Sequence, residues 1–583
     1  MVMSQRSGAV HVVTTKRHHK GKDYVAHLLR RSYREDGKVK NETVGNLSHL
    51  PDHVIDLIRQ SLRGERFVEV GNTFDIVRSP QHGNVQAVLS AMRALDMSSL
   101  IASRPCRERD LVMAMIAGRV ISPRSKLATT RWWQGTTLPR QLGVEDATED
   151  ELYSAMDWLL ERQPIIEKKL AGRHLQVGGM VLYDLSSSYF EGTKCPLAAR
   201  GHSRDGKHGT LQVNYGLVTD SLGCPVSVSV FRGNTADSTT VMGEVEKVQS
   251  RFGVKSMVLV GDRGMITQKQ IDELKERPGI EWITALRSTA IRGLLKRASL
   301  QLGLFDERNL FELTDCEHRG ERLVACRNDA LRQSRAHTRQ SLLEATTEKL
   351  QRVQKSVATG KLRGKAEIGL RVGKIIDAHK VGKHFICEID DSTFTFRIDE
   401  DRVREEAALD GIYVIRTSLP KKAMSAESVV ESYKKLSGVE RAFRSFKTVD
   451  LHVRPIRHWS ESRVRAHIFL CMLAYYVQYH CQEAWRSMLF SDEEAWTHCR
   501  TDPVAPAVRS EAALRKVATQ VTEDGEPVHS FRTLLDNLGG IVCNLCRRKG
   551  APDTEPEFEI VTQPSPMQKR ALDLIEGIAA MNA

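Results

Sequence analysis

The chain has 583 residues, too many for one hydrophobic core, and should divide into about three or four domains of roughly 100 to 200 residues each. Its 86 Lys and Arg against 73 Asp and Glu leave a formal charge of +13, which favours a polyanionic partner such as DNA, RNA or an anionic membrane face. The longest apolar run, residues 468–477, is too short for a membrane span, residues 1–20 hold no stretch of signal-peptide length, and eleven scattered cysteines make no disulfide framework. These features predict a soluble, cytoplasmic protein with reduced thiols and no membrane partner.

Residues 1–75 read as a small basic module. The first 40 residues carry ten Lys and Arg against three Asp and Glu, with strand patterns near 12–15 and 24–29; the plain alternative is a solvated, partly disordered arm. Over 76–175 the period turns helical, with Val85, Val88, Leu89, Met92 and Leu95 on one face and further apolar-periodic segments at 111–120 and 152–170. Arg131-Trp132-Trp133 and the cations of 104–109 are candidates to grip phosphates in this helical, DNA-binding domain, although helical bundles usually bury tryptophan.

Residues 176–289 alternate between short strands and helices: strands at 180–186, 211–219, 225–232, 256–260 and 282–286, and helices at 238–249 and 268–276. This pattern predicts a mixed sheet flanked by helices. Residues 290–410 break the rhythm and read as an inserted basic subdomain, with a helix at 341–354, strands at 385–389 and 393–398, and fourteen Lys and Arg against five Asp and Glu over 319–374. The sheet domain resumes over 411–490 with a strand at 413–417, a helix at 426–447 and an apolar helix at 463–481. A C-terminal helical region, 491–583, follows, with a helix at 528–546, a loop at 551–557 and a terminal amphipathic helix. Cys543 and Cys546 form a lone CxxC without a second pair at zinc spacing, read as two core-facing thiols near a helix end. The expected fold class is therefore multidomain α+β, with an inserted subdomain and a helical N-terminal domain.

Two aspartates end apolar runs: Asp184 closes Met180-Val181-Leu182-Tyr183-Asp184, and Asp262 closes Met257-Val258-Leu259-Val260-Gly261-Asp262. An aspartate at a strand end is most often a cap or turn residue. Thr267 and Gln270 offer the following helix its own capping box, so Asp262 is expected to be free for another task. On adjacent parallel strands the two carboxylates would repel by roughly 4 kcal/mol at 4 Å and an effective dielectric of about 20, a sign that a bound Mg²⁺ reverses. The third acid is Glu440. Tyr433, Glu440 and Lys447 are spaced seven apart on a predicted single helix, Arg444 lies one turn beyond Glu440, and Val439, Phe443 and Phe446 form a separate apolar stripe for docking. The plain alternative is a surface helix with a Glu440–Arg444 pair.

The order Asp184, Asp262, Glu440, with the third acid on a helix after an insertion, resembles the DDE transposases of bacterial insertion sequences and their ribonuclease H-like catalytic domain. The glutamate helix is similar to that of the subgroup reading Tyr, two residues, Arg, three residues, Glu, six residues, Lys. Tyr433, Glu440 and Lys447 match, whereas Leu436 stands at the arginine position. The blocks Tyr183-Asp184-Leu185-Ser186-Ser187-Ser188, Phe231-Arg232-Gly233-Asn234-Thr235-Ala236-Asp237 and Gly261-Asp262-Arg263-Gly264 also look like the family's, so that the resemblance spans about residues 177–481.

The resemblance implies a ribonuclease H-like sheet and two Mg²⁺ ions about 3.5 to 4 Å apart, with Mn²⁺ able to substitute. Asp184 would serve both ions, Asp262 the second and Glu440 the first. It further implies nicking at the ends of the element and attack of the freed 3′ hydroxyl on target DNA, by an oligomer, at least a homodimer, working at the nucleoid. Tyr433, Arg444, Lys447 and Arg263 are the expected DNA contacts, and Lys435, Arg441 or Arg444 are the replacements for the missing arginine. Two readings remain beside it: an idle or domesticated DNA-binding derivative, and a metal-dependent nuclease without strand transfer. His202 and His208, in a loop of glycines and charges, read as an exposed hairpin rather than a histidine nuclease site. Ser187 and Ser188 lack the partners of a nucleophile.

Overall fold

The computed structural model describes residues 8–19, 21–65, 73–493, 502–506, 509–552, 554 and 557–578. The first residues of the basic module and part of the loop expected at 551–557 lie outside them. The chain divides into two compact units, Met1–Ser79 with Asn544–Ile560, and Pro80–Cys543 with Val561–Ala583.

In the first unit the basic module is a sheet. Strands β1 (Ala9–His19), β2 (Lys22–Glu35) and β3 (Lys38–Asn46) pair antiparallel in sequence order, longer than the short strand patterns implied. Val12 faces Leu29 and Val13 faces Leu28 across the first pair, which is where alternation places apolar side chains together. A helix, Asp52–Leu62, packs on β1, and β4 (Phe74–Arg78) closes this stretch.

The second unit opens with the helices read from periodicity: Gly83–Ala94, Arg107–Ile121 and Glu149–His174, with shorter ones between. Val85, Val88, Leu89, Met92 and Leu95 are all buried, and so is Trp133. Of the cations considered for phosphate contact, Arg107 is paired with Asp146 and Glu151, and Arg109 with Asp110.

A nine-stranded mixed sheet follows. Its strands are β5 (Met180–Tyr189), β6 (Ala199–Arg200), β7 (Leu211–Thr219), β8 (Pro225–Arg232), β9 (Met257–Val260), β10 (Ile280–Ala285), β11 (Leu310–Leu313), β12 (Arg322–Arg327) and, after an excursion, β15 (Ile412–Thr417). They lie in the order β11-β12-β15-β10-β9-β5-β7-β6, with β8 on β7. Strand β9 runs parallel to both β5 and β10, and the remaining pairings are antiparallel. Thus β11 and β12, placed by sequence in the insertion, are sheet strands. The excursion proper is the helical pair Asp329–Ala358 and Lys365–His379, the hairpin β13 (Phe385–Ile389) and β14 (Phe394–Ile398), and the helix Glu400–Ala407. It encloses its own apolar cluster around Leu350, Ile368 and Phe394. Its ends are neighbours: Arg327 pairs with Ile412, and the Asn328 amide donates to the Gly411 carbonyl at 2.9 Å. Gly411 has φ +75, and a Cβ there would lie 2.4 Å from the Asn328 carbonyl oxygen, so only glycine closes this neck without strain.

The helix expected over 426–447 is interrupted. It runs Ala426–Lys434, restarts as Leu436–Arg444 and ends in a wide turn, Ser445–Val449. The helix Glu461–Ala484 crosses the centre of the unit with Ile468–Val477 wholly buried, and no helix among the described residues is long and apolar enough to cross a membrane. The helix expected over 528–546 covers only Phe531–Leu538. Cys543–Arg548 is instead a strand, β16, which pairs antiparallel with β4 and is flanked by β17 (Phe558–Val561). Cys543 and Cys546 are therefore buried strand residues, not thiols near a helix end. The terminal helix spans Pro566–Glu576.

Candidate active site

Strand register brings the two aspartates side by side. Leu182 of β5 is level with Val260 of the parallel β9, so Asp184 and Asp262 stand two residues further along each chain. Side chains alternate along β5, which puts Leu182, Asp184 and Ser186 on one face. Ser186 faces Tyr215 of β7, whose ring lies 5.8 Å from Phe443 and 6.4 Å from Phe446. The helix bearing Glu440 is thereby docked on the Asp184 face. Val439, Phe443 and Phe446, the stripe read from sequence, are all buried beneath it.

The electrostatics locate the third acid. Burial pushes the Asp184 carboxyl up to about 7; the backbone amide of Leu185 opposes this, and the charges of Asp262 and Glu440 both add to it. The Tyr433 phenol, half-buried against the core, is pushed up to about 12 by burial and by the charges of Asp262, Glu440 and Asp184, with Arg263 opposing. Asp184, Asp262, Glu440, Tyr433 and Arg263 therefore share one locality, formed by three separate segments of chain. Among the described residues, none of the three acids has an ion pair. Glu440 and Arg444 are both exposed and are not paired with each other, so the plain alternative for this helix is not realised.

Asp262 is not wholly free. Its Oδ1 accepts the Gly264 and Met265 amides at 2.9 and 2.8 Å, tying down the turn after β9. The expected capping box is absent: the Thr267 hydroxyl donates to the Gln270 side-chain oxygen, not to a backbone group.

Lys447 departs from the expected exposed face. The helix break at Lys435 and the wide turn carry it inward, where its ammonium lies 3.0 Å from Asp205, which also receives Arg454 at 2.5 Å. The Asp205 side chain is fully enclosed and accepts the Tyr189 amide at 3.0 Å. The loop containing His202 and His208 does join two strands of a hairpin, β6 and β7, and both histidines are exposed. Between them, however, Arg204 and Asp205 fold back on the site: Arg204 pairs with Asp237 at 2.5 Å and its charge acts on Asp184. Sequence reasoning missed Arg204 and Asp205. The one usable signal was Asp237, the last residue of the segment Phe231-Arg232-Gly233-Asn234-Thr235-Ala236-Asp237. Ser188 is buried and bonded to the Tyr215 hydroxyl at 2.8 Å, and Ser187 is likewise buried. Leu436, at the position of the missing arginine, packs against the apolar core.

The three acids of this locality offer only oxygen donors and have no ion pair among the described residues, a chemistry that suits a hard divalent ion better than a soft one. Two family descriptions match the chain: "Transposase DDE domain" over residues 182–477, just over half its length, and "IS1634 family transposase, N-terminal domain" over residues 12–69. The chain belongs to the DDE transposase family. It is a transposase of the insertion-sequence type, and the family carries with it DNA as partner and divalent-metal chemistry. No curated protein matches the transposase. The first match lies on β5 through the long apolar helix and so encloses all three acids, whereas the second covers β1 to β3 and the helix Asp52–Leu62.

Proposed function

We propose that the transposase cuts DNA at the ends of its insertion sequence and joins the freed 3′ ends to target DNA, with Asp184, Asp262 and Glu440 as the catalytic carboxylates. The observation that carries this reading is that the charges of Asp262, just past the end of β9, and of Glu440, on the helix docked over the sheet, both act on Asp184, midway along the neighbouring parallel strand β5. These acids would hold two Mg²⁺ ions, which would supply activation of the attacking oxygen and charge stabilisation of the leaving one. Asp184, on which the charges of both other acids act, would serve both ions. Asp262 presents its Oδ2 with the turn held rigid through Oδ1, and Glu440 closes the site from the helix. The mixed sheet, with parallel β5 and β9 at its centre, supports assignment to the ribonuclease H-like class.

Exposed Arg444 and Arg263 neutralise phosphates flanking the scissile bond, and Tyr433 packs against the backbone beside them. Lys447 acts as a positioning residue: it holds Asp205, and through the same loop Arg204, against Asp184. The basic sheet β1–β3 reads the element ends, and a dimer or larger assembly brings two ends together.

The test uses purified full-length protein, Mg²⁺ and DNA bearing the element ends. Nicks at the element boundary and joined products are expected, and Asp184→Asn, Asp262→Asn or Glu440→Gln should each reduce both by on the order of 10³-fold or more. Undiminished cleavage in any of these variants would overturn the assignment. Products cut but never joined identify a nuclease, and end binding without cleavage identifies an idle derivative.

A further inference from the structure

Away from the carboxylates, three donor atoms from three distant parts of the chain converge. His174 ends the helix Glu149–His174, Cys224 sits in the turn between β7 and β8, and His480 lies near the end of the helix Glu461–Ala484. The Cys224 Sγ lies 4.0 Å from His174 Nε2 and 3.8 Å from His480 Nε2, and all three donor atoms fall within 4.8 Å of one another. Tetrahedral Zn²⁺, with bonds of about 2.3 Å to sulfur and about 2.0 Å to nitrogen, sets sulfur and nitrogen roughly 3.5 Å apart. The two sulfur–nitrogen separations need to close by only a few tenths of an ångström. We propose that His174, Cys224 and His480 form a Zn²⁺ site of the transposase, separate from its carboxylate site.

The surroundings supply what such a site needs. The Tyr476 hydroxyl lies 3.0 Å from His174 Nε2, and the ring's other nitrogen, Nδ1, faces the Asp220 carboxylate at 3.9 Å. A proton on Nδ1 leaves Nε2 with its lone pair toward Cys224, the tautomer a metal ligand requires, and a carboxylate behind a ligating histidine is the usual supporting arrangement. On binding, Tyr476 gives up its contact with Nε2 to the metal, and the Cys224 thiol releases its proton to solvent. A water takes the fourth position. Asp220 also fixes the turn, its Oδ1 accepting the Leu222 and Cys224 amides at 2.8 and 2.9 Å.

The turn reaches the catalytic helix. Gly223, at φ +89, approaches Gly438 so closely that a Cβ on it would sit 3.5 Å from the Gly438 backbone, two residues before Glu440. The Tyr479 hydroxyl, next to His480, donates to the Leu222 carbonyl at 3.5 Å. The Zn²⁺ is thus a staple that joins the helical domain, the β7–β8 turn and the long apolar helix, and that gives the Glu440 helix a fixed rest.

The experiment titrates chelator-treated full-length protein with Co²⁺ and with Zn²⁺, in excess Mg²⁺ to occupy the carboxylates. One equivalent of Co²⁺ should bind with tetrahedral d–d absorption and a thiolate-to-cobalt charge-transfer band, and Zn²⁺ should displace it. Cys224→Ser should abolish the charge-transfer band, and His480→Gln should weaken binding by on the order of 100-fold. Zn²⁺ should raise the thermal midpoint of the wild type but not of Cys224→Ser. The absence of a thiolate band in the wild type overturns the proposal, and so does a band that persists in Cys224→Ser, which would place the metal at another cysteine. Circular dichroism of each variant separates lost binding from lost folding.

Discussion

The carboxyl of Asp184 is poised to exchange a proton for a cation. Buried, and pushed further by Asp262 and Glu440, it titrates near 7 in the folded, metal-free protein but near its ordinary value of 3.8 when unfolded. Between those values the folded state holds a proton that the unfolded state has lost, so metal-free stability falls as pH rises from about 4 to about 7. A divalent ion needs the carboxylate, so its affinity should climb over the same interval. The rise in thermal midpoint on adding Mg²⁺ is therefore expected to be larger at pH 8 than at pH 5.5, and to vanish in Asp184→Asn; equal rises at both pH values would contradict it. A second residue prediction concerns Asp205, fully enclosed between Lys447 and Arg454. Its replacement by Ala leaves two cations without their shared partner and should cost about 3 to 5 kcal/mol in chemical denaturation. None of this was legible for Lys447 from its own neighbourhood. A lysine seven residues after Glu440 looks like a face-sharing cation until a partner far upstream in the chain draws it inward.

Among elements, the helix Leu436–Arg444 depends on an apolar stripe rather than on charge to sit over Asp184. Phe446→Ala opens space beside Tyr215 and Tyr475 and should cost about 3 to 5 kcal/mol, with DNA cleavage falling more than DNA binding, as gel-shift and nicking assays on one preparation would reveal. Strands β5 and β9 were legible from their apolar runs, Met180–Tyr183 and Met257–Val260, although β5 continues past Asp184 to Tyr189 and β9 stops short of Asp262; the docking stripe was legible because its spacing is helical. The break at Lys435 was overlooked because the apolar and charged spacing runs on across it; its local signal is the pair Ser437-Gly438, whose glycine amide donates to the Lys435 carbonyl at 2.8 Å. Strand β16 was read as helix for a related reason: its six residues are fixed by pairing with β4, at the other end of the sequence, which no local window contains. β11 and β12 likewise owe their place to β15 across the whole excursion.

At the scale of the molecule, the division into two units dictates where the chain can be cut. The first unit takes β4 together with β16 and β17, so a truncation at residue 75 severs β4 at Phe74, whose ring packs edge-on to Phe558 at 5.7 Å. Removal of residues 1–65 spares that strand. The shorter protein should fold with an unchanged core and lose its preference for element ends over random DNA. Its remaining affinity should still drop steeply with salt, as for any contact made through phosphates. Retention of end preference, measured by competition binding at fixed ionic strength, would move recognition to the helices of the second unit.

The neck of the excursion carries a wider consequence. Because Arg327 and Ile412 lie on facing rungs and glycine turns the chain between them, whatever is spliced into that gap re-enters at the same height and leaves the carboxylates where they were. The position is a natural port for exchangeable cargo. A reporter, a foreign targeting module or a bare tight loop could be plugged in there, and the cutting machinery behind it would register no change of address.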